Sequence, residues 1–484
     1  MVSRNGDDAV RFVEKIKLSR SARRQRLGKI KAMRLFSVGF ISVILFGALL
    51  LMLPISVPRG QESANFLTAL FTATSATCVT GLAVVDTATG WSIFGQVVIL
   101  CMIQLGGIGF MSCAVMVAKL ARRMLSPKER MLVAMSYNLN SYSDVSGILK
   151  SVAIGTFSAE FVGACLLFVR FKDLYPTGMA IFKSVFTSVS AFCNAGFDLM
   201  GDIYATGVIP EGTRYASSMG YFADDAFVCI TLASLVIIGG LGFAVWFELK
   251  QRLVRKKKLS VYTRLVLIIT SALFIGGTLL TALLEWNNQG TIGALTPGGK
   301  ILASFFHSVS LRTAGFSSFN NGDMGFGAQI LSLILMFIGG ASGSTAGGVK
   351  VVTVGILVAT ILSNMAGKNT TVIFNRTIPS SAFIRAASVI FVQLFLILAA
   401  SIAIFSISGD LDAMDVIYEV TSAVSTVGNS AGITASLDVI PKIIIIFLMY
   451  FGRVGILTVT YALMINQSSI DSTITYPDAD LLIG

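Results

Sequence analysis

Apolar residues run along this chain in long blocks separated by short polar or basic clusters. Residues 35–56, 94–118, 151–169, 227–247, 265–284, 386–409 and 443–467 form such blocks, and a further one opens at Ala328. Their lengths match the ~20 residues a helix needs to cross a hydrocarbon layer. Pro54 and Pro58 end the first. Between the two members of each pair lies a shorter helical stretch, such as residues 65–77, too short to cross. The pattern predicts span, short helix, loop, span, four times over. Irregular backbone at membrane depth survives only inside protein or against water, so the loops are expected to line an interior.

Each short stretch ends in the same way. FTATSATCVTG closes on Gly81, FTSVSAFCNAG on Gly196, FFHSVSLRTAG on Gly315 and YEVTSAVSTVG on Gly428. An aromatic (Phe71, Phe186, Phe305, Tyr418) stands ten residues before each glycine, and a serine (Ser75, Ser190, Ser422) stands six before in three of them, with Val309 the exception. The steps between the glycines are 115, 119 and 113 residues. So regular a period marks a fourfold internal repeat. The implied units are residues 35–130, 131–258, 259–378 and 379–484, after a basic tail at 1–34. The fold class expected is an all-α membrane protein of four pseudo-fourfold repeats, about eight transmembrane helices with four re-entrant pore helices.

Composition agrees. Hydrophobic residues make up 54% of the 484, charged residues 13%, and mean hydropathy is +0.80, values that belong to membrane proteins. The net charge of +12 sits in the tail and linkers, where it reads as topology and as attraction to membrane lipid, with no nucleic-acid partner. Acids cluster instead beside the motifs: Asp198, Asp202, Glu211, Asp224, Asp225, Asp410, Asp412, Asp415 and Glu419. The positive-inside bias puts both termini and the linkers in the cytoplasm of a multi-pass cell-membrane protein. All four units then start on one side, which suits a pore on a central axis better than inverted repeats. The six cysteines lie in apolar blocks without metal-binding spacing. With no nucleophile–base pair either, an enzyme is not expected.

The second spans carry their own repeat: GGIGF from Gly106, GGLGF from Gly239, GGASG from Gly339 and GRVG from Gly452. Close helix packing accounts for the first two. The third extends as Gly339, Gly340, Ala341, Ser342, Gly343, Ser344, Thr345, Ala346, Gly347 and Gly348 before Lys350. That run is too rich in glycine for a helix interior, so one unwound break is expected there. The fourth places Arg453 in an apolar span, where charge is costly and signals function.

Stripping water from a small cation takes several oxygens at fixed spacing, and rings of backbone carbonyls supply them. Glycine lets the backbone take positive φ, and short helices aimed C-terminus first add a negative dipole end.

CVTGL, CNAGF, RTAGF and STVGN, with GGASGSTAGGVK and GRVG, resemble the motifs of the Trk/Ktr/HKT superfamily of potassium transporters, most of all its Ktr membrane subunit. The resemblance runs from about residue 35 to the C-terminus. It implies a selectivity filter of the carbonyls of Val79, Thr80 and Gly81, of Asn194, Ala195 and Gly196, of Thr313, Ala314 and Gly315, and of Thr426, Val427 and Gly428. It implies an intramembrane gate at residues 339–348, with Arg453 facing the cavity as an electrostatic barrier. It further implies potassium as the transported ion, sodium as an activator, a homodimer, and a cytosolic ring-shaped regulatory subunit that binds ATP/ADP or NAD. With one glycine per filter segment, strict discrimination against sodium does not follow. The tail lacks the extra N-terminal helices of Trk subunits, which favours Ktr.

Three further residues carry expectations. Arg312 braces the loop through carbonyls or carboxylates, His307 is buried and hydrogen-bonded, and Glu160 pairs with a neighbouring helix. The competing reading is a sodium- or proton-coupled carrier of another solute, for which inverted repeats and broken helices meeting at the midplane would be expected.

Overall fold

The computed structural model describes residues 34, 37–109, 145–203, 218–368 and 370–455. The basic tail, the ends of the second spans beyond Gly109 and Gly455, and Glu211 lie outside the described residues.

Of the four stretches marked out from sequence, the first holds α1 (Ser37–Leu51), α2 (Phe66–Cys78) and α3 (Ile93–Ile108). Asn65 caps α2 by accepting the Thr68 N–H at 2.7 Å, and Ser92 caps α3 by accepting the Gly95 N–H. The second holds α4 (Val145–Phe171), α5 (Thr177–Cys193), α6 (Ala226–Gly240) and α7 (Phe243–Arg255). In the third are α8 (Val261–Glu285), α9 (Pro297–Ser310), α10 (Phe326–Phe337) and α11 (Val351–Met365). A two-stranded hairpin pairing Ile373 with Arg376 leads into the fourth. That unit comprises α12 (Ser380–Ile407), α13 (Ala413–Ser425) and α14 (Val439–Val454).

Among the described residues, three uninterrupted helices, Leu149–Phe171, Val261–Glu285 and Ser380–Ile407, are long and apolar enough to cross a membrane, and α6 with α7 forms a fourth candidate bent by 97°. At 1.5 Å per residue, a 25-residue helix reaches about 37 Å, against a hydrocarbon core of about 30 Å. Their outer faces are apolar: Phe161 is 70% exposed, Leu283 75% and Phe391 71%. The inside is where hydroxyls collect, with Ser75, Thr187, Ser308 and Ser422 all buried. An exterior this oily and an interior this polar suit a lipid solvent.

The short helices α2, α5, α9 and α13 form the centre. The repeated aromatic fixes them there, Phe71, Phe186 and Tyr418 being fully buried and Phe305 partly so. Each second helix also packs on the short helix of the next unit: α3 on α5, α6 on α9, α10 on α13, and α14 back on α2. The circle closes.

One expectation is corrected here. Residues 227–247 are not one straight span, because the chain turns at Gly242, whose φ is +87°. The turn makes room for residues 339–348: the Phe243 N–H donates to the Gly343 carbonyl at 3.1 Å. Nor is there only one break. Gly109 and Gly455, which end α3 and α14, have φ of +90° and +87°. The last glycine of GGIGF, GGLGF and GRVG therefore does the same thing three times. Packing still explains the first glycine of each. A methyl added at Gly106, Gly239 or Gly452 would come within 2.0, 2.0 and 2.2 Å of the carbonyl oxygens of Thr77, Phe192 and Val424.

Candidate functional site

The four loops beyond the short helices meet at one point. The residue two before each motif glycine is left-handed: φ is 58° at Val79, 59° at Asn194, 73° at Thr313 and 50° at Thr426. Such angles are rare for any side chain and costly for a β-branched one. The glycines follow at 95°, 69°, 79° and 96°. In an ordinary strand successive residues face opposite ways. Reversing the handedness at every second residue instead lets successive carbonyls share one side.

The glycines touch in chain order. A methyl at Gly81 would lie 2.6 Å from the Ala195 carbonyl oxygen, and one at Gly196 would lie 2.8 Å from that of Ala314. At Gly315 it would lie 2.6 Å from the Val427 oxygen, and at Gly428 2.1 Å from the Thr80 oxygen. Four carbonyl oxygens from four loops thus face a closed ring of glycines with no room for a side chain. The repeated serine helps to hold it, since the Gly81 and Gly428 N–H groups donate to the Ser75 and Ser422 hydroxyls at 3.0 Å each. Where Val309 interrupts the pattern, Ser310 takes over, donating to the Phe316 carbonyl. The Ser190 hydroxyl has no hydrogen-bond partner, although its carbonyl accepts the Ala195 N–H at 2.8 Å.

Outside the ring opens a cavity of about 360 Å³, lined by all four glycines and by Asp86, Asp198, Asn320 and Asn429. Asp198 accepts from the Ser218 hydroxyl and the Met200 N–H. Burial pushes its carboxyl above the usual carboxylate range, with its hydrogen bonds opposing and the charge of Asp86 adding. Buried Lys183 braces the same wall through the Leu199 carbonyl, Asp202 at 2.7 Å and the face of Tyr175 at 4.2 Å.

On the other side of the ring lies the glycine-rich run between α10 and α11. Its ends are pinned together, the Gly339 N–H donating to Val349 at 2.9 Å and the Val349 N–H to Phe337 at 3.2 Å. Its middle presses on the short helices. The Thr345 hydroxyl donates to the Phe192 carbonyl at 3.3 Å, and a methyl at Gly347 would strike the Thr426 hydroxyl. Three cations hold its carbonyls. Lys350 donates to Ala346 at 2.8 Å and to Gly347 at 3.1 Å. Arg312 donates to Gly339, so it braces the inner run and not its own loop. Arg453 donates to Thr345 through one nitrogen and to Gly106 and Gly107 through another. Its guanidinium is committed to carbonyls of the run and of α3. Tyr262 donates to Ser342 at 2.8 Å.

His307 is buried, 3.3 Å from the Ser332 hydroxyl and stacked near Phe319. Glu160 accepts from Gln104 of α3 at 2.9 and 3.2 Å, a link between neighbouring units. The left-handed conformation of Val79, Asn194, Thr313 and Thr426, the bracing by Lys183 and the carbonyl contacts of Lys350 were not read from sequence. Only Lys350 had a local signal, as the first charge after the glycine run.

The profile of the TrkH family, described as a cation transport protein, matches residues 20–472. The chain belongs to the TrkH cation transport protein family. It is 37% identical over 93% of its length to the Ktr system potassium uptake protein B of Bacillus subtilis, covering 96% of that protein. It is 36% identical over 94% of its length to the potassium/sodium uptake protein NtpJ of Enterococcus hirae, covering 98%. The crystal structure of the potassium transporter TrkH from Vibrio parahaemolyticus shares the fold, with a TM-score of 0.65 at 18% identity, covering 88% of this chain and 85% of that one. The chain is a helical membrane protein of this transporter fold.

Proposed function

We propose that this chain is the ion-translocating subunit of a potassium uptake system. The observation that carries the reading is the closed ring of Gly81, Gly196, Gly315 and Gly428 with neighbouring carbonyl oxygens turned toward it. On this reading residues 35–130, 131–258, 259–378 and 379–484 are four pseudo-fourfold pore repeats, each contributing one re-entrant helix. The carbonyls of residues 79–81, 194–196, 313–315 and 426–428 replace the hydration shell of potassium. The C-terminal ends of α2, α5, α9 and α13 point their negative dipole ends at the ion. Asp86 and Asp198 at the mouth raise the local cation concentration.

Residues 339–348 form the gate beneath this filter. Conduction requires the run to move off the ends of α5 and α13, which means releasing the carbonyls held by Arg453, Lys350 and Arg312. The energy for that comes from outside the pore, in this proposal from a cytosolic nucleotide-binding ring docked on the basic linkers. Both termini and the linkers face the cytoplasm, two copies assemble as a homodimer, and sodium acts as an activator. The relatives' names, potassium uptake and potassium/sodium uptake, support the choice of ion.

Growth of potassium-uptake-deficient bacteria on low potassium tests the function, comparing the parent chain with Gly315→Ser, each with and without a nucleotide-binding partner. Rescue by the parent, and loss or relaxed selectivity in the variant, is expected. Membrane-inserted protein that never rescues would move the reading to a sodium- or proton-coupled carrier of another solute.

A further inference from the structure

A second cavity, of about 370 Å³, lies away from the conduction axis between the start of α4 and the start of α7. Val152 and Ile154 of α4 and Trp246 and Phe247 of α7 line it, with Lys150 and Lys250 at its edge. The two lysines are exposed, and their helices converge on one mouth. The acid on α7, Glu248, accepts the Ser260 N–H at 3.0 Å and makes no ion pair with either lysine among the described residues. Trp246 satisfies its indole N–H on the Ile238 carbonyl at 2.9 Å, which leaves only its apolar face for a ligand.

Helix α7 has the makings of an interfacial helix. It leaves α6 at 97°, carries Lys250, Arg252 and Arg255, and exposes Leu253 at 84% and Val254 at 73%. Basic and apolar residues exposed together on one helix are the signature of a segment lying in the headgroup region. With the topology proposed above, that region belongs to the cytoplasmic leaflet, where anionic lipid and aromatic side chains meet.

We propose that this cavity binds an anionic phospholipid, its phosphate between Lys150 and Lys250 and an acyl chain along Ile154 and Trp246. The site touches the conduction machinery. Trp246 packs edge-on against Phe243 at 5.2 Å and Phe192 at 5.7 Å. The Phe243 N–H is bonded to the Gly343 carbonyl, and the Phe192 carbonyl accepts from Thr345. A lipid seated on Trp246 therefore steadies α7 against the glycine-rich run, and its loss loosens that run.

The test uses the full chain in nanodiscs, with Trp91→Phe and Trp286→Phe leaving Trp246 as the one tryptophan of three. Phosphatidylglycerol or phosphatidylcholine with brominated acyl chains serves as the quencher. Stronger quenching by the brominated phosphatidylglycerol is expected. Lys150→Gln with Lys250→Gln should weaken that preference about thirtyfold, since each lysine near a membrane surface is worth ~1 kcal/mol. The pair Lys257→Gln and Lys258→Gln, outside the cavity, should leave it unchanged. Equal quenching by both lipids, equal loss in the two lysine pairs, or displacement by inorganic phosphate would overturn the proposal. So would a change of oligomeric mass in the first pair, which would make the groove a contact between copies. Potassium flux is read separately, so quenching without flux would sink the uptake reading and leave the lipid site standing.

Discussion

Arg453 offers the sharpest test of the proposed gate. Its guanidinium reaches from α14 to Thr345 in the glycine-rich run and to Gly106 and Gly107 on α3. It thus ties the run to two helices at once. A hydrogen bond from a charged donor contributes about 1.5–3 kcal/mol. The two strong contacts, to Thr345 and Gly106, together hold the run with roughly 3–6 kcal/mol. Arg453→Gln removes both, because the shorter amide cannot span the gap. Water can satisfy the freed carbonyls from the cavity, so the lower figure is the one to use. A loss of ~3 kcal/mol raises the open population on the order of a hundredfold. Arg453→Lys keeps the charge but offers a compact head in place of a planar fork, so it holds one carbonyl at a time. An intermediate increase is expected.

The assay is rubidium efflux from proteoliposomes without any partner subunit, with thermal stability recorded on the same samples. A thiol probe at Ser344→Cys reports the position of the run directly. Arg453→Gln should leak and label faster, and Arg453→Lys should fall between it and the parent. If the glutamine variant folded normally and neither leaked nor labelled faster, the clamp would be only packing, and the run would owe its position to Lys350 and Arg312.

Three other predictions follow from the ring and its mouth. Gly428→Ala should damage conduction more than Gly196→Ala, since the added methyl meets a carbonyl at 2.1 Å in the first and 2.8 Å in the second; potassium and sodium flux ratios read the order. Ser75→Ala and Ser422→Ala should each cost about 1 kcal/mol of stability by orphaning a glycine N–H, whereas Ser190→Ala should be nearly neutral, because the Ser190 hydroxyl has no partner to lose; thermal melts separate them. Lowering the external pH should reduce potassium entry in a window above the ordinary aspartate range. The sign follows from Asp198: its raised pKa means it takes up a proton earlier than a free carboxyl, and the mouth then loses a negative charge. Asp198→Asn should remove that acid limb, and the other charges facing the site, Asp86 and Lys183, remain as its background.

The ring was legible because it was written four times. An aromatic, a serine and a glycine at fixed offsets survive as a pattern even when each is weak alone, and the glycines did meet. The left-handed residues two positions earlier were not legible. Val79 and Thr426 are β-branched, and nothing local recommends them for positive φ; the neighbouring loops impose it. The breaks at Gly109, Gly242 and Gly455 were spelled in the second motif, yet the packing demand on its first glycine masked the turn demanded of its last. The bend after α6 depends on residues 339–348 lying a hundred positions away, and no reading of 227–247 alone contains that. Arg453 was visible as a charge out of place, but what it holds could not be read without the fold.

The several breaks bear on the choice between pore and carrier, because broken helices were to count for the carrier. Their positions decide how much they count. Gly106, Gly239, Gly347 and Gly452 each press on the last turn of a short helix, at Thr77, Phe192, Thr426 and Val424. All these contacts lie at the same end of the short helices, the end that carries the ring. A carrier that alternates access needs barriers on both sides of its site. Here the breaks gather beneath one ring, while the other side opens into a polar cavity. Gly109, Gly242 and Gly455 take positive φ where their helices end, whereas the third copy is a longer run on the side of the ring away from the cavity. A single chain permits that inequality, since each copy of the motif can drift separately. Four identical subunits could not place one run across their shared axis without placing four. On the proposed function, the unequal third copy is what a pore with a single internal gate needs, and the longest glycine run accordingly occurs once.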